Sequence, residues 1–85
     1  MARFELRFKR SVEKDFRGIP KPDVRRILKT VEALCDEPRP AGSEKLTGQE
    51  FYRVRQGAYR VIYSIDDVRI VVEVVKVGHR REVYR

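Results

Sequence analysis

The sequence predicts an α+β fold: an N-terminal strand, a helical hairpin, then a mostly antiparallel sheet packed on the helices. Three patterns predict it. Residues 2–8 alternate apolar with charged side chains, residues 24–35 repeat apolar side chains at helical spacing, and residues 51–77 alternate again between short turn signals. Chains of this length bury only about 60–65% of their unfolded surface, so every element must share one core. Residues 1–85 are expected to form a single domain.

The first strand places Phe4, Leu6 and Phe8 on one face and Arg3, Glu5 and Arg7 on the other, the period of two of a half-buried strand. Ser11 is a plausible N-cap for a short helix, with Glu13 and Asp15 near its positive end. Val12, Phe16 and Ile19 give that helix its apolar stripe, and Gly18 with Pro20-Lys21-Pro22 ends it. Pro22 suits the first position of a second helix. Val24, Ile27, Leu28, Val31, Leu34 and Cys35 form its stripe, and Pro38 and Pro40 stop it.

The remainder reads as sheet. A short strand through Glu44-Lys45-Leu46-Thr47 precedes Gly48. Strands at Phe51–Arg55, Tyr59–Ile65 and Val68–Val77 follow, with turns at Gln56-Gly57 and Asp66-Asp67. Two-residue hairpin turns fix the register. They predict Arg53 opposite Arg60, Arg55 opposite Ala58, and Arg60 opposite Glu73. Alternation puts Tyr52, Val54, Tyr59, Val61, Tyr63, Ile65, Ile70, Val72 and Val74 against the helices. The other face carries Arg53, Arg55, Arg60 and Glu73, with Ile62, Val71 and Val75. Converging guanidinium groups on a central sheet repel each other, so an anion is expected to complete that surface.

Charge points the same way. The chain has 20 Lys+Arg against 13 Asp+Glu, a formal charge of +7, spread through both halves. A basic domain of this kind suits a polyanionic partner, with nucleic acid the first expectation. No apolar run approaches the ~20 residues of a membrane-spanning helix, and no membrane partner is expected. One cysteine, Cys35, excludes an internal disulfide and cysteine-rich zinc sites. A cytoplasmic protein without metal or cofactor is expected.

After Val77-Gly78 comes a short segment that holds the chain's one histidine, His79, with Arg80 and Tyr84. Folded back at Gly78, it would bring His79, Arg80 and Tyr84 beside Arg53, Arg55 and Arg60. Guanidinium groups hold a phosphate and stabilise charge that builds on it. Titratable groups move protons, and an aromatic ring stacks on an unpaired base.

The runs Glu44-Lys45-Leu46-Thr47-Gly48, Tyr52-Arg53-Val54-Arg55, Tyr59-Arg60-Val61-Ile62-Tyr63 and Val77-Gly78-His79-Arg80-Arg81-Glu82-Val83-Tyr84 resemble the RelE branch of the RelE/ParE toxin superfamily. The resemblance implies a β-α-α-β-β-β, RelE-like fold and the toxin of a type II toxin–antitoxin pair. Such a toxin is a metal-independent endoribonuclease that enters the ribosomal A site and cuts messenger RNA by 2′-hydroxyl attack. By position, Arg53 and Arg55 match the family's basic pair, Arg60 and Arg80 its phosphate-contacting arginines, and Tyr84 its base-stacking tyrosine. The implied partner is an acidic, RelB-like antitoxin, with operator DNA reached only through the toxin–antitoxin complex. The best-known members carry lysine where this chain has Arg53 and Arg55, and arginine is a poor base at neutral pH. His79 and Glu73 are therefore the expected proton-transfer groups. A ParE-like gyrase inhibitor without catalytic activity is the alternative from a different functional class.

Overall fold

The computed structural model describes residues 3–79. The elements are β1 (Glu5–Phe8), α1 (Arg10–Arg17), α2 (Lys21–Leu34), β2 (Glu44–Lys45), β3 (Phe51–Gln56), β4 (Tyr59–Asp66) and β5 (Val71–His79). The five strands form one sheet in the order β1-β5-β4-β3-β2. Every pair is antiparallel except β1 with β5. The chain leaves β1 through the helices and returns along β2, β3 and β4, so β5 closes beside β1.

The helices lie on one face of the sheet, α1 mainly over β5 and α2 over β3 and β4. Val12, Ile27, Val31 and Leu34 meet Val54, Val61, Tyr63, Val72, Val74 and Val77 in the core, with Phe4, Leu6, Phe16, Ile19, Tyr52, Tyr59 and Ile65 packed around it. Apart from Val77, these are the faces the periodicities predict. Fully burying an aliphatic side chain of this size contributes about 1.5–3 kcal/mol, so this layer contact is the main source of stability. Cys35 is buried at the end of α2, and desolvation pushes its thiol pKa up. No helix among the described residues is long and apolar enough to cross a membrane.

Ser11 is not the cap of α1. The helix starts at Arg10, with extended Lys9 at the N-cap and no side-chain cap bond. Lys9 still belongs to the strand: its N–H donates to the Val74 carbonyl over 2.8 Å, while its own carbonyl accepts from Val12 N–H. Strand passes to helix within one residue, and Ser11 falls inside the first turn.

Tyr63 ties the layers together. Its buried hydroxyl donates to the Pro38 carbonyl over 2.7 Å, and desolvation raises its pKa, keeping the phenol a donor. Tyr63→Phe leaves that carbonyl without its donor, which costs about 1–2 kcal/mol. The thermal midpoint should fall roughly 5–10 °C. A melt indistinguishable from wild type would remove this bond from the account.

Arg39 organises the connection that leads into β2. Its guanidinium makes a fork of 3.2 and 2.9 Å bonds to Asp67, and its Nε donates to the Tyr52 hydroxyl at 3.1 Å. The group also lies 5.3 Å from the centre of the Tyr52 ring. Hydrogen bonds from Arg39 hold the Asp67 carboxyl below its ordinary pKa. This pairing is present above the unfolded carboxylate's pKa and is lost as acid protonates Asp67.

Candidate nucleic-acid interface

Two turns set the register of the site, and both differ from the predicted ones. Gln56 pairs with Tyr59, so the β3–β4 turn is Gly57-Ala58. Gly57 adopts φ +60°, the left-handed conformation that favours glycine at the first turn position of a II′ hairpin. The register therefore moves by two residues. Arg55 lies opposite Arg60, Arg53 opposite Ile62, and both arginines keep their predicted face.

The β4–β5 turn is longer than two residues. Asp66 pairs with Val71, and its carboxylate accepts the N–H groups of Val68 and Arg69 at 3.0 and 2.9 Å. An aspartate that caps the turn from its first position cannot also occupy the middle of it. Ile70 completes the turn at φ +60°, partly exposed and not on the core face predicted for it. Glu73 therefore lies opposite Ser64 and Arg7, not Arg60. Arg60 faces Gly78, five residues or about 17 Å further along β5. The expected Arg60–Glu73 pair does not form.

A β-bulge then changes the phase of β5. Tyr63 pairs with Val74 while Ile62 pairs with Lys76, leaving Val75 as the extra residue. Beyond it, Val77 is buried in the core and His79 pairs with Tyr59. The His79 and Tyr59 rings meet edge to face, with centroids 6.0 Å apart. His79 thus lies on the helix side of the sheet, and the structure does not bring it together with Arg53, Arg55 and Arg60. Arg80 and Tyr84 lie outside the described residues.

On the open face, the ladder sets out two rows. Glu44, Arg53, Ile62 and Lys76 form one row across β2, β3, β4 and β5, and Arg55, Arg60 and Gly78 form the next. Arg53 and Arg60 are only 7% and 8% exposed, and Arg60 sits on the central strand. Buried cations on a sheet face are costly to stability unless anions or hydrogen bonds compensate them. Arg53 donates from Nη2 to Glu44 over 2.5 Å. Row one borders a groove of about 630 Å³, lined in part by Glu44, Lys45, Phe51, Arg53, Ile62 and Lys76.

Local structure positions the acidic end of this row. Ser43 closes a turn onto the Pro40 carbonyl through its N–H and its hydroxyl, at 3.0 and 2.8 Å. The strand after it lasts only Glu44–Lys45, not the four residues predicted. Gln49 N–H turns back to the Leu46 carbonyl, with Gly48 at φ +71°. Lys76 lies at the other end, 3.8 Å from Asp15 of α1. Asp15 also accepts the backbone N–H of Val77 at 3.1 Å, satisfying β5 where β1 has ended.

Sequence reasoning missed Glu44, Lys76 and Phe51 as parts of the groove. The signal for Glu44 lay in the short strand before Gly48, whose pairing with β3 puts a glutamate opposite Arg53. Lys76 was concealed by the bulge, because strict alternation assigns it to the core face.

The fold is a five-stranded mixed sheet with two helices on one face and arginines on the other. The sequence model of the family described as "ParE toxin of type II toxin-antitoxin system, parDE" matches residues 6–84. Toxin RelG of Mycobacterium tuberculosis is 31% identical over 90 residues, covering 96% of this chain and 97% of RelG. A chain of the archaeal RelE–RelB complex from Pyrococcus horikoshii has a TM-score of 0.81 at 32% identity, covering 93% of this chain and 97% of that one. The isolated Escherichia coli RelE toxin gives 0.78 at 28% identity, with 95% and 90% covered. The chain belongs to the RelE/ParE family of type II toxin–antitoxin toxins and is a RelE-type toxin.

Proposed function

We propose that this toxin is a ribosome-dependent endoribonuclease that cuts messenger RNA in the A site and so stops translation. The observation that carries this reading is the open sheet face, where Arg53, Arg55 and Arg60 cluster beside a groove that also holds Lys45 and Lys76. Such a face suits a phosphodiester whose charge grows during in-line attack by the adjacent 2′-hydroxyl. The products are a cyclic phosphate and a 5′-hydroxyl. Arg80 and Tyr84 are assigned from the family resemblance, as a further phosphate contact and a base-stacking ring. The test is incubation with ribosomes stalled on a defined message, followed by primer extension. Discrete cuts within the A-site codon support the reading; an intact message refutes it.

Two observations favour a second reading. The matching family is described by ParE, and His79 lies away from the arginine face. A gyrase inhibitor would stall supercoiling and leave ribosome-bound message whole, so the two assays separate the readings.

The proposed partner is an acidic RelB-like antitoxin, through which the toxin would reach operator DNA. A second basic region supports it. Residues 9–29 carry Lys9, Arg10, Lys14, Arg17, Lys21, Arg25, Arg26 and Lys29 against Glu13, Asp15 and Asp23. They border an apolar groove lined by Phe8, Val12, Phe16 and Leu28, of which Phe8 and Leu28 are exposed. An acidic chain covering both basic faces should exclude the ribosome. In a co-sedimentation assay, saturating antitoxin should release the toxin from ribosomes. A ternary complex that still cuts would refute mutual exclusion.

A further inference from the structure

Arginine-rich cleavage sites lack a base, because guanidinium and ammonium groups already carry their protons at neutral pH. Glu73 and His79, the two candidates from the sequence, are held away from Arg53 and Arg60 by the register and by the bulge. Among the described residues the groove is lined by one carboxylate, Glu44, and it lies in the same ladder row as Arg53.

We propose, resting on the endoribonuclease reading, that Glu44 is the general base of this toxin. Three observations support the assignment. Its carboxylate is anchored by the Arg53 guanidinium at 2.5 Å, so it is fixed beside the proposed phosphate contact. Its side chain is nevertheless 65% exposed, so a nucleotide can reach it. Lys45, Arg53 and Lys76, from β2, β3 and β5, are the charged groups among the described residues that line the groove with it.

The step balances within the groove. A Glu44 oxygen takes the proton of the 2′-hydroxyl. The 2′-oxygen forms its bond to phosphorus and the bond from phosphorus to O5′ breaks. The departing O5′ takes a proton from water, and the hydroxide so formed takes up the proton from Glu44, giving the cyclic phosphate and the free 5′-hydroxyl. Glu44 and Lys76 stand at opposite ends of one row, about 14 Å apart at the backbone across three strand spacings. Glu44 reaches inward to Arg53, whereas the Lys76 ammonium turns toward Asp15 of α1, 3.8 Å away. A guanidinium has five N–H donors, enough to hold the base and contact the phosphate together.

The experiment is single-turnover cleavage of ribosome-bound message by wild type, Glu44→Gln and Glu44→Ala, with affinity measured separately. Glutamine keeps an oxygen for Arg53 but cannot take a proton. Its rate should fall about 10²–10⁴-fold, with ribosome affinity changed less than about threefold. The acidic limb of the wild-type pH–rate profile should vanish in both variants, and added formate should partly rescue Glu44→Ala. A Glu44→Gln protein that cuts within about threefold of wild type overturns the assignment. So does a rate loss in Glu44→Ala that glutamine fully restores, which would make Glu44 only a support for Arg53. A wild-type protein that makes no cut sinks the endoribonuclease reading itself, and Glu44 as base with it.

Discussion

Replacing Arg60 by alanine should lower the single-turnover rate of message cleavage about 10²–10³-fold, the usual loss when one preorganised charge contact to a transition state is removed. Arg60 is on the central strand, almost buried, opposite Arg55 and beside the side-chain-free Gly78. Its guanidinium is therefore held by the sheet before any RNA arrives. Reorganisation, which weakens charge stabilisation at flexible surfaces, is already complete. Arg60→Lys should recover only part of the rate, since an ammonium keeps the charge and loses the planar fork. Antitoxin binding and growth arrest give the controls: the alanine variant should bind antitoxin and fail to arrest growth. Near wild-type cleavage by purified Arg60→Ala would show that the clamp lies elsewhere.

The sequence made the faces of this protein legible and left its register hidden, for a physical reason. Side-chain direction in a strand depends on parity alone, so Arg53, Arg55 and Arg60 fall on the open face under any even shift of pairing. Register depends on which residues form the turn. Gly57 takes the first turn position because its φ is positive, and Asp66 caps its turn instead of entering it. Neither choice is visible from alternation. The same holds for the bulge at Val75, which moves Val77 into the core and carries His79 to the helix side. Arg53, Arg55 and Arg60 therefore lie on the face that alternation predicts, while Glu73 rests on a register the chain does not adopt and His79 is carried to the helix side by the bulge. A groove assembled from β2, β3, β4 and β5 depends on long-range pairing, and Glu44 gains its meaning only from lying opposite Arg53.

Salt should act strongly on the proposed complex with RNA. Lys45, Arg53, Arg55, Arg60 and Lys76 are the cations, among the described residues, of the arginine cluster and its groove. If each neutralises one phosphate of a single strand, the slope of log affinity against log salt is about −0.7 × 5, or roughly −3.5. Raising monovalent salt fourfold, from about 50 to 200 mM, should then weaken binding about 10²-fold at constant magnesium. Arg55 is exposed and lies in the second row, so Arg55→Ala should fold normally and reduce the slope by about 0.7. Arg17, on the helix side of the molecule, provides the contrast: Arg17→Ala removes the same charge and should leave the slope unchanged. Binding isotherms at four salt concentrations would measure all three proteins. Equal slopes for the Arg55 and Arg17 variants would mean that net charge alone attracts RNA, and that the sheet face is not where the strand lies.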